Sequence, residues 1–142
     1  MTDVIPDTHI LGKLTRDEEL KRKFIDKIVR ECYNLVIAPL ESEYKVRIGE
    51  EELRNLALSF RTELRGKFVQ ERPPVPSVQC FKRGDRKLAG TAINRARRSG
   101  STAIIVTEDP DFWRNYECFR TLRRQGVPVS YTHLTLPTKR IV

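Results

Sequence analysis

The sequence predicts an α/β fold: a three-layer α/β/α sandwich with a central, mostly parallel sheet. Three observations predict it. Short runs rich in β-branched residues, Leu35-Val-Ile-Ala38 and Thr102-Ala-Ile-Ile-Val106, are bounded by polar residues or proline and read as buried strands. Longer stretches between them carry apolar residues at helical spacing. The two patterns alternate along the chain, as they do when helices cover both faces of a parallel sheet. With 142 residues the chain suffices for one domain with a real core.

In chain order, Asp3-Val-Ile-Pro6 is a first short strand, with Pro6 placed near its end because proline lacks a backbone donor. Asp7-Thr-His-Ile-Leu leads toward a helix. Thr15 and Glu18 have capping-box spacing, and Leu20, Phe24, Ile25 and Ile28 follow as a helical stripe running to about Cys32. Pro39 closes the strand at 35–38. Leu40 to Ile48 forms a short helix carrying Glu41, Glu43, Tyr44 and Arg47, and Gly49 breaks it. Glu50-Glu-Glu52 suits the positive end of a further helix, with Leu53, Leu56, Ala57, Phe60 and Leu64 as its apolar face and Gly66 as its stop. Lys67 to Gln79, with three prolines, reads as an extended connector, and Val78 to Phe81 as a brief strand or a loop. Asp85 caps the next helix, which buries Leu88, Ala89, Ala92, Ile93 and Ala96 and ends at Ser99-Gly100. After the strand at 102–106, Asp109 is an N-cap and Pro110 a first helical residue. Phe112, Trp113, Tyr116, Phe119 and Leu122 then form a stripe up to Gly126, and Val127-Pro-Val129 starts a last strand.

Residues 1–129 thus read as one domain. From about Ser130 the sequence resembles the translated read-through of a sequencing adapter. Residues 130–142, His133 included, are therefore expected to lie outside the evolved domain.

Composition narrows the function. No apolar run approaches the roughly 18 residues of a membrane span. The first residues lack the basic start and apolar core of a signal peptide. Three cysteines with no C-x-x-C pair read as buried reduced thiols, so a cytoplasmic location is expected. The net charge of +8 favours anionic partners, nucleic acid first. The two histidines leave no Ser/His/Asp triad or histidine-pair chemistry. A phosphoryl-transfer domain of the receiver or haloacid type is disfavoured, for want of a Gly-rich phosphate loop or an Asp-x-Asp pair on the first strand.

Four acids fall at comparable places. Asp7 ends the first strand, Glu43 lies just past the second, Asp85 opens a helix, and Asp109 follows the strand at 102–106. Right-handed crossovers would bring such strand ends to one edge. Singly, each acid has an ordinary role as a cap, a turn residue or a solvated side chain. Together they would repel one another, a conflict that Mg²⁺, a hard cation with oxygen ligands, resolves. Arg83, Arg86 and Lys87, close to Asp85, are candidates for engaging RNA phosphates.

Four motifs in order carry a resemblance to a known family. Val4-Ile-Pro-Asp-Thr-His-Ile-Leu11 resembles the opening of a PIN domain, and Pro39-Leu-Glu-Ser-Glu-Tyr44 resembles the segment bearing its second acid. Gly84-Asp-Arg-Lys-Leu-Ala-Gly-Thr-Ala-Ile93 is similar to the family's Asp-x-x-hydrophobic-Ala helix, and Ile104-Ile-Val-Thr-Glu-Asp-Pro-Asp-Phe112 to its Val-Thr-x-Asp-x-Asp-Phe segment. The resemblance implies a Mg²⁺- or Mn²⁺-dependent ribonuclease in which Asp7, Glu43, Asp85 and Asp109 hold the metal and Asp111 adds a further acid. It implies that Thr107 supports the site by hydrogen bonding; Thr8, His9 and Thr107 are also candidates for touching substrate, with a surface or capping role the alternative for His9. His9 stands where the family usually has Asn. The size is similar to VapC-type toxins of toxin–antitoxin pairs, so the expected partners are RNA, an antitoxin protein and a second copy in a homodimer, with no membrane. The alternatives are a PIN-like module that binds RNA or protein without cutting, and a structure-specific Mg²⁺-dependent DNA nuclease.

Overall fold

The computed structural model describes residues 1–98, 102–114, 116–127 and 129–131; the side chains of Arg83, Asp111, Trp113, Tyr116 and residues 129–131 lie outside that description. The elements in order are β1 (Thr2–Pro6), α1 (Thr8–Arg16), α2 (Glu18–Arg30), β2 (Asn34–Ile37), α3 (Glu41–Arg47), α4 (Glu50–Glu63), β3 (Phe68–Gln70), α5 (Arg83–Ala96), β4 (Thr102–Thr107), α6 (Asp111–Arg114), α7 (Tyr116–Arg124) and β5 (Val129–Tyr131). Among the described residues the sheet has five strands in the order β3-β2-β1-β4-β5, and every neighbouring pair is parallel. The architecture is the predicted α/β/α sandwich.

Strand β1 is central and buried from Asp3 to Pro6, with Pro6 its last residue, where a missing donor costs least. It pairs with β4 along its whole length, from Thr2 opposite Thr102 to Pro6 opposite Val106. The sheet order turns back on itself between β1 and β4, and ligands of open parallel sheets bind beyond the strand ends at such a point. Val4, Ile5, Leu35, Val36 and Ile105 form the sheet's share of the core, and Phe60, Leu88 and Phe112 reach it from the helices. Among the described residues no helix is long and apolar enough to cross a membrane.

Several expectations are corrected. The Thr15–Glu18 capping box does not form. Thr15 lies inside α1 and donates to the Gly12 carbonyl at 2.6 Å, while Asp17 caps α2 by accepting from the Leu20 amide at 3.1 Å. The connector at 67–79 begins as an edge strand, because Leu35, Val36 and Ile37 offer a free ladder to Phe68, Val69 and Gln70. Of the two readings of Val78 to Phe81, strand or loop, the loop forms, with a turn at Gln79-Cys80. Helix α5 starts two residues before Asp85, with Lys82 as N-cap, so Asp85 is a first-turn residue whose carboxylate is not used in capping. Helix α2 ends at Arg30, and Cys32 follows in a turn with φ 57°.

The three buried reduced thiols are also corrected. Cys80 and Cys118 are joined as a disulfide with Cα atoms 5.7 Å apart, and Cys32 is exposed. Packing of the Phe81 ring on Phe112, centroids 4.7 Å apart, draws the turn before α5 toward α6 and α7. Strand β5 includes Ser130 and Tyr131, opposite Val106 and Thr107, so pairing extends two residues into the segment read as tail. Residues 132–142 and the helix end at Ser99-Gly100 lie outside the described residues.

Candidate active site: an acidic pocket at the strand ends

Asp7 is the best-defined member. It follows β1, its amide donates to the Val106 carbonyl at 3.0 Å, and it caps α1 with Oδ1 accepting from the Ile10 amide at 2.8 Å. Its other oxygen, Oδ2, accepts from the Thr107 hydroxyl at 2.5 Å. Thr107 Oγ1 in turn accepts from the Asp109 amide at 2.9 Å. One hydroxyl thus ties the end of β1 to the residue that leaves β4. Burial raises the Asp7 pKa above the ordinary carboxylate value; the bonds from Thr107 and Ile10 and the nearby His9 oppose the rise, and Asp109 adds to it.

Asp7, Glu43, Asp85 and Asp109 all line one pocket of about 460 Å³. They come from four separate segments, following β1, β2 and β4 and in the first turn of α5. Asp85 feels the other three. Its pKa is pushed up to about 7, first by burial, then by the charge of Asp109 and a carboxyl–carboxyl hydrogen bond to it, and by the charges of Asp7 and Glu43. Glu43 also pairs with Arg47 Nε at 3.5 Å, one turn along α3.

Thr8 and His9 line the same pocket. Thr8 is buried; the His9 ring is exposed and stands 3.8 Å from Glu108. Arg86 and Lys87 do not line it. They border an adjoining groove together with Glu43 and Arg47, and Arg86 Nε is engaged by the Phe81 carbonyl at 2.6 Å. By that bond Arg86 fastens the turn before α5. The side chains of Arg83 and Asp111 lie outside the described residues.

Sequence reasoning missed Glu108, Arg47 and Lys82 as pocket residues. Glu108 accepts from Lys13 Nζ at 2.7 Å. His9 and Lys13 stand four apart on α1, and that spacing was a legible signal that one turn faces a common acid.

The four carboxylates that line the pocket suit a hard divalent cation, which takes oxygen ligands. Among the described residues no three His, Cys, Asp or Glu side chains form a ready chelating cluster, and Asp85 instead meets Asp109 carboxyl to carboxyl. The residues therefore fit Mg²⁺ or Mn²⁺ in kind, with side-chain adjustment needed to bring three oxygens onto one ion. No family model matches the chain, and comparison with curated proteins and with solved structures likewise gives no match.

Proposed function

We propose that the chain is a Mg²⁺- or Mn²⁺-dependent endoribonuclease of the PIN type. The observation that carries this reading is the convergence of Asp7, Glu43, Asp85 and Asp109 on one pocket at the strand ends. A divalent cation held by these carboxylates would activate water and offset charge on the phosphodiester being cut. Asp7 is held in place by the Ile10 amide and the Thr107 hydroxyl, so its carboxylate is positioned before any ligand arrives. With its pKa raised to about 7 by burial and by Asp109, Asp85 would give up its proton more readily once positive charge entered the pocket. Arg47 and Lys82 line the same pocket and would hold phosphate oxygens there. Lys87, exposed beside the adjoining groove, would hold the strand leaving it. In a toxin–antitoxin setting the antitoxin would close this pocket by inserting an Arg among the carboxylates. A homodimer belongs to the same proposal, as does a cytoplasmic location, where the Cys80–Cys118 bridge would face a reducing environment.

The test is cleavage of labelled single-stranded RNA with and without Mg²⁺, beside Asp7→Asn and Asp109→Asn proteins shown to be folded. Cutting by the parent chain alone, and only with metal, is expected. RNA binding without cutting would favour a non-catalytic module, and preference for DNA flaps a structure-specific DNA nuclease; either result overturns the proposal.

A further inference from the structure

A second pocket lies on the other side of α3, between α1, α4 and the β2–β3 edge, with a volume of about 130 Å³. Its walls are mostly apolar: Leu11, Leu53, Leu56 and Ala57, with the rings of Phe60 and Phe68, whose centroids are 5.5 Å apart. Two residues break that pattern. Tyr44 lines this pocket and not the acidic one, and it is 2% exposed. Glu71, just past β3, also lines it, with a side chain 7% exposed. Tyr44 Oη and Glu71 Oε2 are both buried without a hydrogen-bond partner among the described residues. The other Glu71 oxygen faces Arg98 at 3.7 Å. Buried polar atoms are normally satisfied, so two orphans bordering one cavity call for an occupant.

We infer that this pocket binds a small organic ammonium ion with a short apolar body. The carboxylate accepts from the ammonium, the phenol oxygen offers a second polar contact, and the aromatic walls favour a cation over a neutral group. The hydrocarbon part fills the Leu/Ala/Phe side. The volume sets the size, since a dry apolar cavity of about 150 Å³ accommodates benzene. The exposed Glu41 and Lys45 also border the pocket, leaving it reachable from solvent. The two pockets share no lining residue, although the Tyr44 phenol feels the charges of Glu43 and Asp7, and binding in the second pocket does not depend on the nuclease reading.

The test uses n-butylammonium, 1-butanol and butyrate titrated into the full chain, read by methyl and amide NMR shifts. Butylammonium is expected to give saturable shifts at Leu53 and Ala57 and to bind at least about tenfold more tightly than butanol. Butyrate is expected not to bind. Glu71→Gln should remove the preference for the cation, and Ala57→Leu, which fills the cavity, should remove binding altogether. Should Glu71→Gln fail to fold, the ammonium-to-butanol ratio in the parent chain and the Ala57→Leu result decide the matter. Equal binding of butanol, no saturable shift (ordered water being the occupant), or shifts at Leu40 and Leu88 of the acidic pocket would each overturn the inference.

Discussion

The Thr107 hydroxyl donates to Asp7 Oδ2 across a sequence separation of 100 residues. It joins the ends of adjacent parallel strands and accepts from the Asp109 amide at the same oxygen. One small side chain thereby holds in place the loops that carry two of the four pocket acids. Thr107→Val keeps the shape and removes the bond, leaving a buried carboxylate short of a donor. It is expected to lower unfolding stability by about 1–3 kcal/mol, with Thr107→Ser recovering most of the loss. Urea denaturation of the three proteins measures this; an unchanged midpoint for Thr107→Val would remove Thr107 from its supporting role.

The protonation of Asp85 gives a pH signature with a definite sign. Its folded pKa is about 7, against an ordinary value of 3.8. Between those values the folded chain keeps a proton that the unfolded chain releases. The contribution to stability is therefore complete below about pH 4 and is lost as pH rises through about 7. Asp7, also raised, acts in the same direction. Without divalent metal, Tm is expected to fall between pH 5.5 and pH 8, and Asp85→Asn should flatten that fall. A steeper fall in the variant would reverse the assignment.

Divalent cations should act oppositely across the same range. Bound as proposed, Mg²⁺ or Mn²⁺ would compete with the proton on Asp85, so stabilisation by metal is expected to be larger at pH 8 than at pH 5.5. At about 100 times Kd it amounts to about 2.7 kcal/mol, as for any ligand bound only by the folded state. Thermal unfolding with and without metal at the two pH values reads this directly. Asp109→Asn should lose the response, and a metal shift indifferent to that change would point to binding elsewhere.

Gly90 in α5 faces the backbone of Pro76. A Cβ at this position would run into the Pro76 carbonyl oxygen, which belongs to backbone and cannot swing aside. Gly90→Ala is expected to destabilise by about 1–3 kcal/mol despite alanine's better helix propensity. Calorimetry decides it; a stabilised variant would mean that the segment at 73–81 is not seated against α5.

Substrate binding should divide Lys87 from Arg86. Lys87 is exposed, so Lys87→Ala is expected to lower the slope of log affinity against log salt by about 0.7 for a single-stranded RNA, with Tm unchanged. Arg86→Ala should also lower Tm, because it removes the bond to the Phe81 carbonyl. Identical behaviour of the two variants would contradict that division.

The layers, the buried strands and most helices were legible because the apolar residues alternate cleanly between strand runs and helical stripes. Gly66 and Gly126 sit at φ 75° and 76°, as helix stops read from sequence should. Strand β3 was hidden by its short length and by the prolines after it: Phe68-Val-Gln70 becomes a strand only because β2 presents a ladder. Asp17 displaced Thr15 as a cap, a local competition in which spacing alone misleads. The acids were legible as a set, since each stood at or just past the end of a predicted strand or at the start of a predicted helix. Their electrostatic coupling, the pairing of Cys80 with Cys118 and the second pocket depend on packing between distant segments, which periodicity does not encode.

Asp7, Glu43, Asp85 and Asp109 are proposed to share one divalent cation. The most direct measurement is anomalous diffraction from crystals soaked in Mn²⁺ near pH 8. A single strong peak is expected in the acidic pocket, within coordinating distance of Asp7, Asp85 and Asp109 oxygens. A pocket without a peak, or manganese bound only at surface carboxylates such as Glu50 to Glu52, would contradict it.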